Sequence, residues 1–267
     1  MSEHRIEPRI EVQPTPEALA TAVAGELLSR LADLQAAGRV PQIALTGGTI
    51  ADAVHREIAR LSPESGVDWG AVVVWFGDER FVAPDSPDRN AGQARAAFLD
   101  AVGASRVYEI PATDAAATVE DAAAAYAELI RAHGSGAFDV VMLGIGPDGH
   151  VASLFPGLPG VTVTDAIAIG VHDSPKPPPE RVSLTLECLN RADAIWFLAS
   201  GESKADAVAR ALAAEGSVGE TPARGVVGRP PSDTPSVPTH PTAPHPDPND
   251  TPTEITWWLD PQAAAEL

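Results

Sequence analysis

Residues 138–150 read Phe138-Asp139-Val140-Val141-Met142-Leu143-Gly144-Ile145-Gly146-Pro147-Asp148-Gly149-His150. The stretch opens on an apolar run that reads as a buried strand. It closes on a glycine-rich turn that holds an acid and an imidazole two residues apart. Glycine lets the backbone turn tightly and approach a ligand. Imidazole is the side chain whose unperturbed pKa lies nearest neutral pH. In open α/β sheets ligands bind beyond the carboxyl ends of the strands, so a strand that delivers this turn to a sheet rim marks a place for chemistry.

Outward from this turn, strands and helices alternate. Leu19, Val23, Leu27, Leu31 and Leu34 recur at helical spacing and predict a helix over 18–37, with Pro16 near its start and Gly38 as terminator. Further helices are predicted over 50–61, 91–102, 119–133 and 205–214. Strands are predicted over 43–45, 71–76, 107–110, 139–143, 167–171, 182–186, 194–198 and 255–259. Alternation of this kind implies a three-layer α/β fold, a mainly parallel Rossmann-like sheet with helices on both faces. The strands lack strict polar alternation, as expected when both faces are covered. Residues 1–267 are expected to form one domain, interrupted at about 230–252 by a segment dense in Pro, Thr, Asp and His. That segment cannot bury a core and is expected to be a flexible insertion, with His240 and His245 solvated rather than metal-bound.

Composition removes several classes of function. The chain has 18 Lys and Arg against 37 Asp and Glu, a net charge of -19. That field repels a polyanionic backbone, so no nucleic-acid partner is expected, and a small anion must be held by a local basic site. No segment reaches the roughly 18 consecutive apolar residues of a membrane span, and no apolar run of signal-peptide length opens the chain. The single cysteine, Cys188, has apolar neighbours and reads as a packing residue, which fits a reducing compartment. A cytoplasmic monomer is expected. No Cys/His cluster has metal-ligand spacing, and no G-x-G-x-x-G opens the first helix, so neither a metal nor a dinucleotide is expected.

Four further stretches carry candidate chemistry. Thr46-Gly47-Gly48-Thr49 lies between a strand and a helix, where free N–H groups and the helix dipole suit a phosphate; a turn that merely needs glycine is the competing reading. Asp78-Glu79-Arg80 follows another strand, and Arg80 is suited to an anion or a developing oxyanion, against a surface ion-paired turn. In 88–90, Asn90 is a candidate cap for the next helix. Lys204 follows Gly201-Glu202-Ser203 at another strand-to-helix junction and offers a point charge to a phosphate, against a solvated lysine. Arg181 opens a strand after Pro175-Lys176-Pro177-Pro178-Pro179. Within the first turn, Asp148 is placed to orient His150, which otherwise caps a helix starting near Val151. Ser153 lacks the G-x-S-x-G elbow of a serine nucleophile and reads as a structural residue one turn into that helix.

Taken together the motifs resemble the 6-phosphogluconolactonases, within the group that also contains glucosamine-6-phosphate isomerases. The stretches that carry the resemblance are 45–49, 75–80, 144–157, 181–185 and 201–204, continued by Trp258-Leu259-Asp260. The isomerase branch, the alternative, typically has Asn-Gly-His followed by an acidic segment; here Asp148 and Ser153-Leu154-Phe155 stand in those places, and the chain is closer to the lactonases. A sugar-phosphate sensor on the same fold is a third reading, against which the acidic charge argues. The resemblance implies hydrolysis of 6-phospho-D-glucono-1,5-lactone with no cofactor. It implies His150 as general base, Asp148 as its orienter, and Arg80 at the oxyanion or a ring hydroxyl. Thr46, Gly47, Gly48, Thr49, Asp78, Arg181 and Lys204 would bind the sugar and its phosphate.

Overall fold

The computed structural model describes residues 6–230 and 252–267. The proline-rich segment expected at 230–252 therefore lies, but for its two end residues, outside the described residues, together with His240 and His245. The strands are β1 (Arg9–Val12), β2 (Gln42–Leu45), β3 (Val73–Phe76), β4 (Asp78–Arg80), β5 (Arg106–Val107), β6 (Val140–Gly144), β7 (Ala168–Val171), β8 (Arg181–Leu184), β9 (Ala194–Ala199) and β10 (Glu254–Leu259). The α-helices are α1 (Pro16–Ala36), α2 (Thr49–Ser65), α3 (Asn90–Ala94), α4 (Val119–His133), α5 (Leu186–Leu189) and α6 (Ala205–Leu212).

Among the described residues, seven strands form a sheet in the order β1-β10-β9-β6-β2-β3-β5, and every pairing in it is parallel. The apolar runs that predict β2, β3, β6 and β9 are buried almost throughout, as a sheet covered on both faces requires. Several of its polar groups are satisfied from inside. Gln42 Oε1 accepts from Trp75 Nε1 at 2.9 Å, and the Tyr126 hydroxyl accepts from Phe76 N at 2.8 Å while donating to Phe76 O at 3.0 Å. On one side of β2 the chain proceeds to β3 and β5; on the other side lies β6. This reversal is a topological switch point, and the crevice at the carboxyl ends of β2 and β6 is where such sheets bind ligands.

Three expectations change. The strands predicted over 167–171 and 182–186 do not extend the parallel sheet. They form a separate antiparallel sheet in the order β4-β8-β7, whose first strand is the supposed Asp78–Arg80 turn. No helix starts near Val151: residues 151–154 form a tight turn closed by a single bridge between Val151 and Leu154. Gly149 (φ 87°) and Ala152 (φ 48°) lie in the left-handed region, which a right-handed helix excludes. Finally, the helix predicted over 91–102 is α3 followed by a π-helical turn over Arg95–Leu99. Its N-terminus is not capped by the Asn90 side chain. The buried Glu79 carboxylate reaches across from β4 and accepts from Asn90 N (2.8 Å) and Ala91 N (2.9 Å). β1, an edge strand with exposed Ile10 and Val12, has no counterpart in the sequence reading.

Candidate active site

The turns that end β2 and β6 touch: a methyl group built on Gly144 would lie 3.9 Å from both Gly47 O and Thr46 Oγ1. Between them opens a cavity of about 740 Å³. Thr46, Gly47, Gly48, Thr49, Asp78, Arg80, His150, Arg181 and Lys204 all line it. Asp148, the remaining expected residue, sits behind His150, with its Oδ1 2.5 Å from the imidazole Nδ1. With Nδ1 committed, Nε2 is the nitrogen available to a ligand. The ring packs on Phe155 at 4.5 Å and keeps 16 % of its side-chain surface exposed. Burial would raise the Asp148 carboxyl, but the hydrogen bond and charge of His150, with the charge of Lys176, outweigh it and pull the group down to about 2. Glycine at 146 is what makes room for the pair, since a Cβ there would fall 2.0 Å from His150 Nδ1 and 2.3 Å from Asp148 Oδ1.

Two helix N-termini face the same cavity. Gly48 (φ 104°) precedes α2, and no side chain caps that helix. Gly201 (φ 93°) precedes the short turn Glu202–Lys204 that runs into α6, and it too has no side-chain cap. Thr49 and Ile50 at one junction, Ser203 and Lys204 at the other, line the cavity. Uncapped first-turn N–H groups of a helix are suited to an anion. Lys204 Nζ donates to Ile145 O at 2.7 Å, and burial together with the nearby Lys176 lowers its pKa.

The antiparallel sheet supplies the rest of the charge. In the β4–β8 register Arg80 stands directly opposite Arg181. Like charges across a strand pair are destabilising, and here they stand together in a chain of net charge -19. Arg80 Nη1 donates to Asp88 O at 2.5 Å, while its buried Nε has no partner. Asp78 is buried and accepts a hydrogen bond from Ser153 Oγ at 2.6 Å. Ser153 is fully buried and is not among the residues that line the cavity, which agrees with a structural reading.

Several cavity residues were not assigned from the sequence. Asn90 donates to Asp78 O at 2.9 Å, and its buried Oδ1, which has no partner, would lie 2.0 Å from a Cβ on Gly47. Lys176, Ser200, Ser203 and Ala152 also line the wall. The sequence marks Lys176 only as a cation among prolines, with nothing that points it at the cavity. A second cavity, about 440 Å³, opens at the amino ends of β2 and β6 and is lined by Gln42, Phe138, Cys188 and Arg191 among others. Arg191 is ion-paired to Glu187, and burial pushes the Cys188 thiol up to about 12, so that end offers neither a free cation nor a reactive thiol. Among the described residues no group of three or more His, Cys, Asp or Glu is placed to hold a metal ion, and no helix is long and apolar enough to cross a membrane.

Known proteins are similar to this chain in sequence and in fold. Residues 14–234 match the family described as glucosamine-6-phosphate isomerases/6-phosphogluconolactonase. A 6-phosphogluconolactonase of Streptomyces coelicolor is 43% identical over 233 residues, 83% of this chain and 89% of that protein. One from Mycobacterium leprae is 38% identical over 228 residues, 82% of this chain and 91% of its own. Among solved structures, a 6-phosphogluconolactonase from Trypanosoma brucei superposes with a TM-score of 0.77 at 26% identity, covering 98% of this chain and 99% of that one. The chain therefore belongs to the glucosamine-6-phosphate isomerase/6-phosphogluconolactonase family.

Proposed function

We propose that this chain hydrolyses 6-phospho-D-glucono-1,5-lactone to 6-phospho-D-gluconate, the lactone step of the oxidative pentose phosphate pathway. The observation that carries this reading is the His150–Asp148 pair facing a cavity walled by cations and by an uncapped helix N-terminus. His150 Nε2 removes a proton from water as the oxygen attacks the C1 carbonyl. Asp148 holds the ring in one tautomer and stabilises the imidazolium. Arg80, on the cavity wall, donates to the oxyanion of the tetrahedral intermediate. When that intermediate collapses, the bond from C1 to the ring oxygen breaks, and the ring oxygen takes the proton back from His150. The phosphate is held at the 46–49 turn and by Lys204, so that remote binding orients the carbonyl. Proton transfers of this kind need no cofactor, and the chain is read as a monomer. The lone buried thiol of Cys188 suits a cytoplasmic setting.

The test is acid release from freshly prepared phospholactone, followed against the spontaneous rate. Acceleration proportional to enzyme, with 6-phosphogluconate as product, is expected. A rate equal to the spontaneous one, or ammonia and fructose 6-phosphate formed from glucosamine 6-phosphate instead, overturns the reading.

A further inference from the structure

The loop between β7 and β8 carries a cation that the mechanism above leaves unused. Lys176 is half-buried on the cavity wall. Its backbone is held from several sides. The N–H donates to Ser174 Oγ at 3.3 Å, and the carbonyl accepts from Ser174 Oγ and from Arg181 Nη2, each at 2.9 Å. Arg181 also donates to Pro177 O through Nη2 and to Pro178 O through Nε, both at 3.2 Å. Ser174 N closes the loop on Pro179 O at 3.0 Å. Arg181 is itself seated, its Cζ 5.7 Å from the centre of the Phe155 ring on which His150 packs.

The two cations thus differ in what their donors face. Arg181 turns Nε and Nη2 onto carbonyls of its own chain. The Lys176 ammonium makes no hydrogen bond or ion pair with any described residue, and its charge reaches Asp148 and Lys204. A solvated surface lysine needs no such scaffold, because its position does not matter.

We propose that Lys176 is a phosphate-binding residue that works with Lys204, and that Arg181 is a positioning residue, folding the 174–178 loop so that the Lys176 ammonium faces the bound anion. This rests on the phospholactone reading and adds to it a contact and a division of labour between two neighbouring cations.

The experiment uses the full chain and the variants Lys176→Ala, Lys176→Arg, Ser174→Ala, Arg181→Gln and the Lys176→Ala/Arg181→Gln double. Steady-state kinetics are measured on 6-phosphogluconolactone and on unphosphorylated gluconolactone, and inorganic phosphate binding is titrated separately. Loss of one charge-assisted contact predicts a KM for the phospholactone raised about tenfold or more in Lys176→Ala, with kcat changed far less. The unphosphorylated lactone should be affected little, and Lys176→Arg should recover most of the loss. Ser174→Ala and Arg181→Gln should raise the same KM, and the double variant should be no worse than the poorer single, as expected for residues acting through one another. If Arg181→Gln does not fold, Ser174→Ala carries the positioning test. A Lys176→Ala enzyme with wild-type KM and wild-type phosphate affinity overturns the lysine's role. Multiplying effects in the double variant, or a Ser174→Ala enzyme with unchanged KM where Arg181→Gln does not fold, overturn the positioning role. Phosphate titration separates this failure from that of the functional reading: a wild type that does not hydrolyse phospholactone yet binds phosphate through Lys176 refutes only the latter.

Discussion

The seven-stranded and three-stranded sheets share one cavity and are built on opposing priorities. In the parallel sheet, β2, β3 and β9 bury every side chain, and Gln42, Trp75 and the Phe76 backbone find their hydrogen-bond partners inside. In the antiparallel sheet β4 is wholly polar, Asp-Glu-Arg, β8 carries Arg181 and Ser183 between apolar residues, and Arg80 faces Arg181 across the ladder. With 37 acidic residues available to the chain, opposing charges there would stabilise the pairing. The small sheet keeps two cations together instead. It trades stability for a positive field at the rim, whereas the large sheet supplies the rigidity and places the imidazole. Departures from local stability rules of this kind concentrate at functional sites.

That contrast breaks most sharply at the end of β6. His150→Ala should lower turnover on the phospholactone by roughly 10²–10⁴-fold, the usual worth of a positioned general base, with thermal unfolding unchanged; near-normal turnover removes His150 from the mechanism. Glu79→Ala tests the small sheet as structure. The Glu79 carboxylate is buried and accepts from the N–H groups of Arg80, Asn90 and Ala91, with Arg89 Nη2 3.9 Å away. Removing it should cost roughly 3 kcal/mol or more in urea unfolding, and a loss under 1 kcal/mol would show that α3 does not depend on this cap.

A second imidazole, which does not line the cavity, sharpens the comparison with His150. His55 on α2 packs against Phe98 at 5.0 Å, its Nε2 is buried without a partner, and burial lowers its pKa from 6.5 to about 4. Between those values the unfolded chain binds a proton that the folded chain refuses. Stability should therefore be full above about pH 6.5 and fall as pH drops towards 4, by about 3 kcal/mol. His55→Leu should flatten that slope in denaturant titrations at pH 4–7. An equal slope in both proteins would place the acid sensitivity elsewhere. The smallest effect concerns the paired cations: Arg80→Met should leave stability unchanged or raise it by under about 1 kcal/mol while lowering kcat/KM. Clear destabilisation would mean that the guanidinium serves the fold.

The same contrast governs what the sequence reveals. Val73-Val74-Trp75-Phe76 and Ala194-Ile195-Trp196-Phe197-Leu198 announce themselves, because burial on both faces demands apolar runs. The glycine turns after β2 and β6 are legible for the same reason: the chain must turn where the sheet ends. The strand Asp78-Glu79-Arg80 carries no such mark, since three polar residues become a strand only when β8 supplies the ladder. The absent helix at 151 depends on Ala152 holding φ 48°, which no propensity announces. Asn90 reads as a cap because the carboxylate that does the capping comes from Glu79, eleven residues away. Lys176 was hidden because its position is set by Arg181 and Ser174 through tertiary contacts.

The central claim is that one rim holds two separable functions, an imidazole that does chemistry and cations that grip a phosphate. Measuring kcat/KM of His150→Ala and Lys204→Ala on phosphorylated and unphosphorylated gluconolactone tests it directly. The account predicts that His150→Ala lowers both substrates by a similar factor, while Lys204→Ala raises KM for the phosphorylated lactone about tenfold or more and scarcely alters the other. Equal losses on both substrates in Lys204→Ala, or a loss in His150→Ala confined to the phosphorylated one, would contradict it.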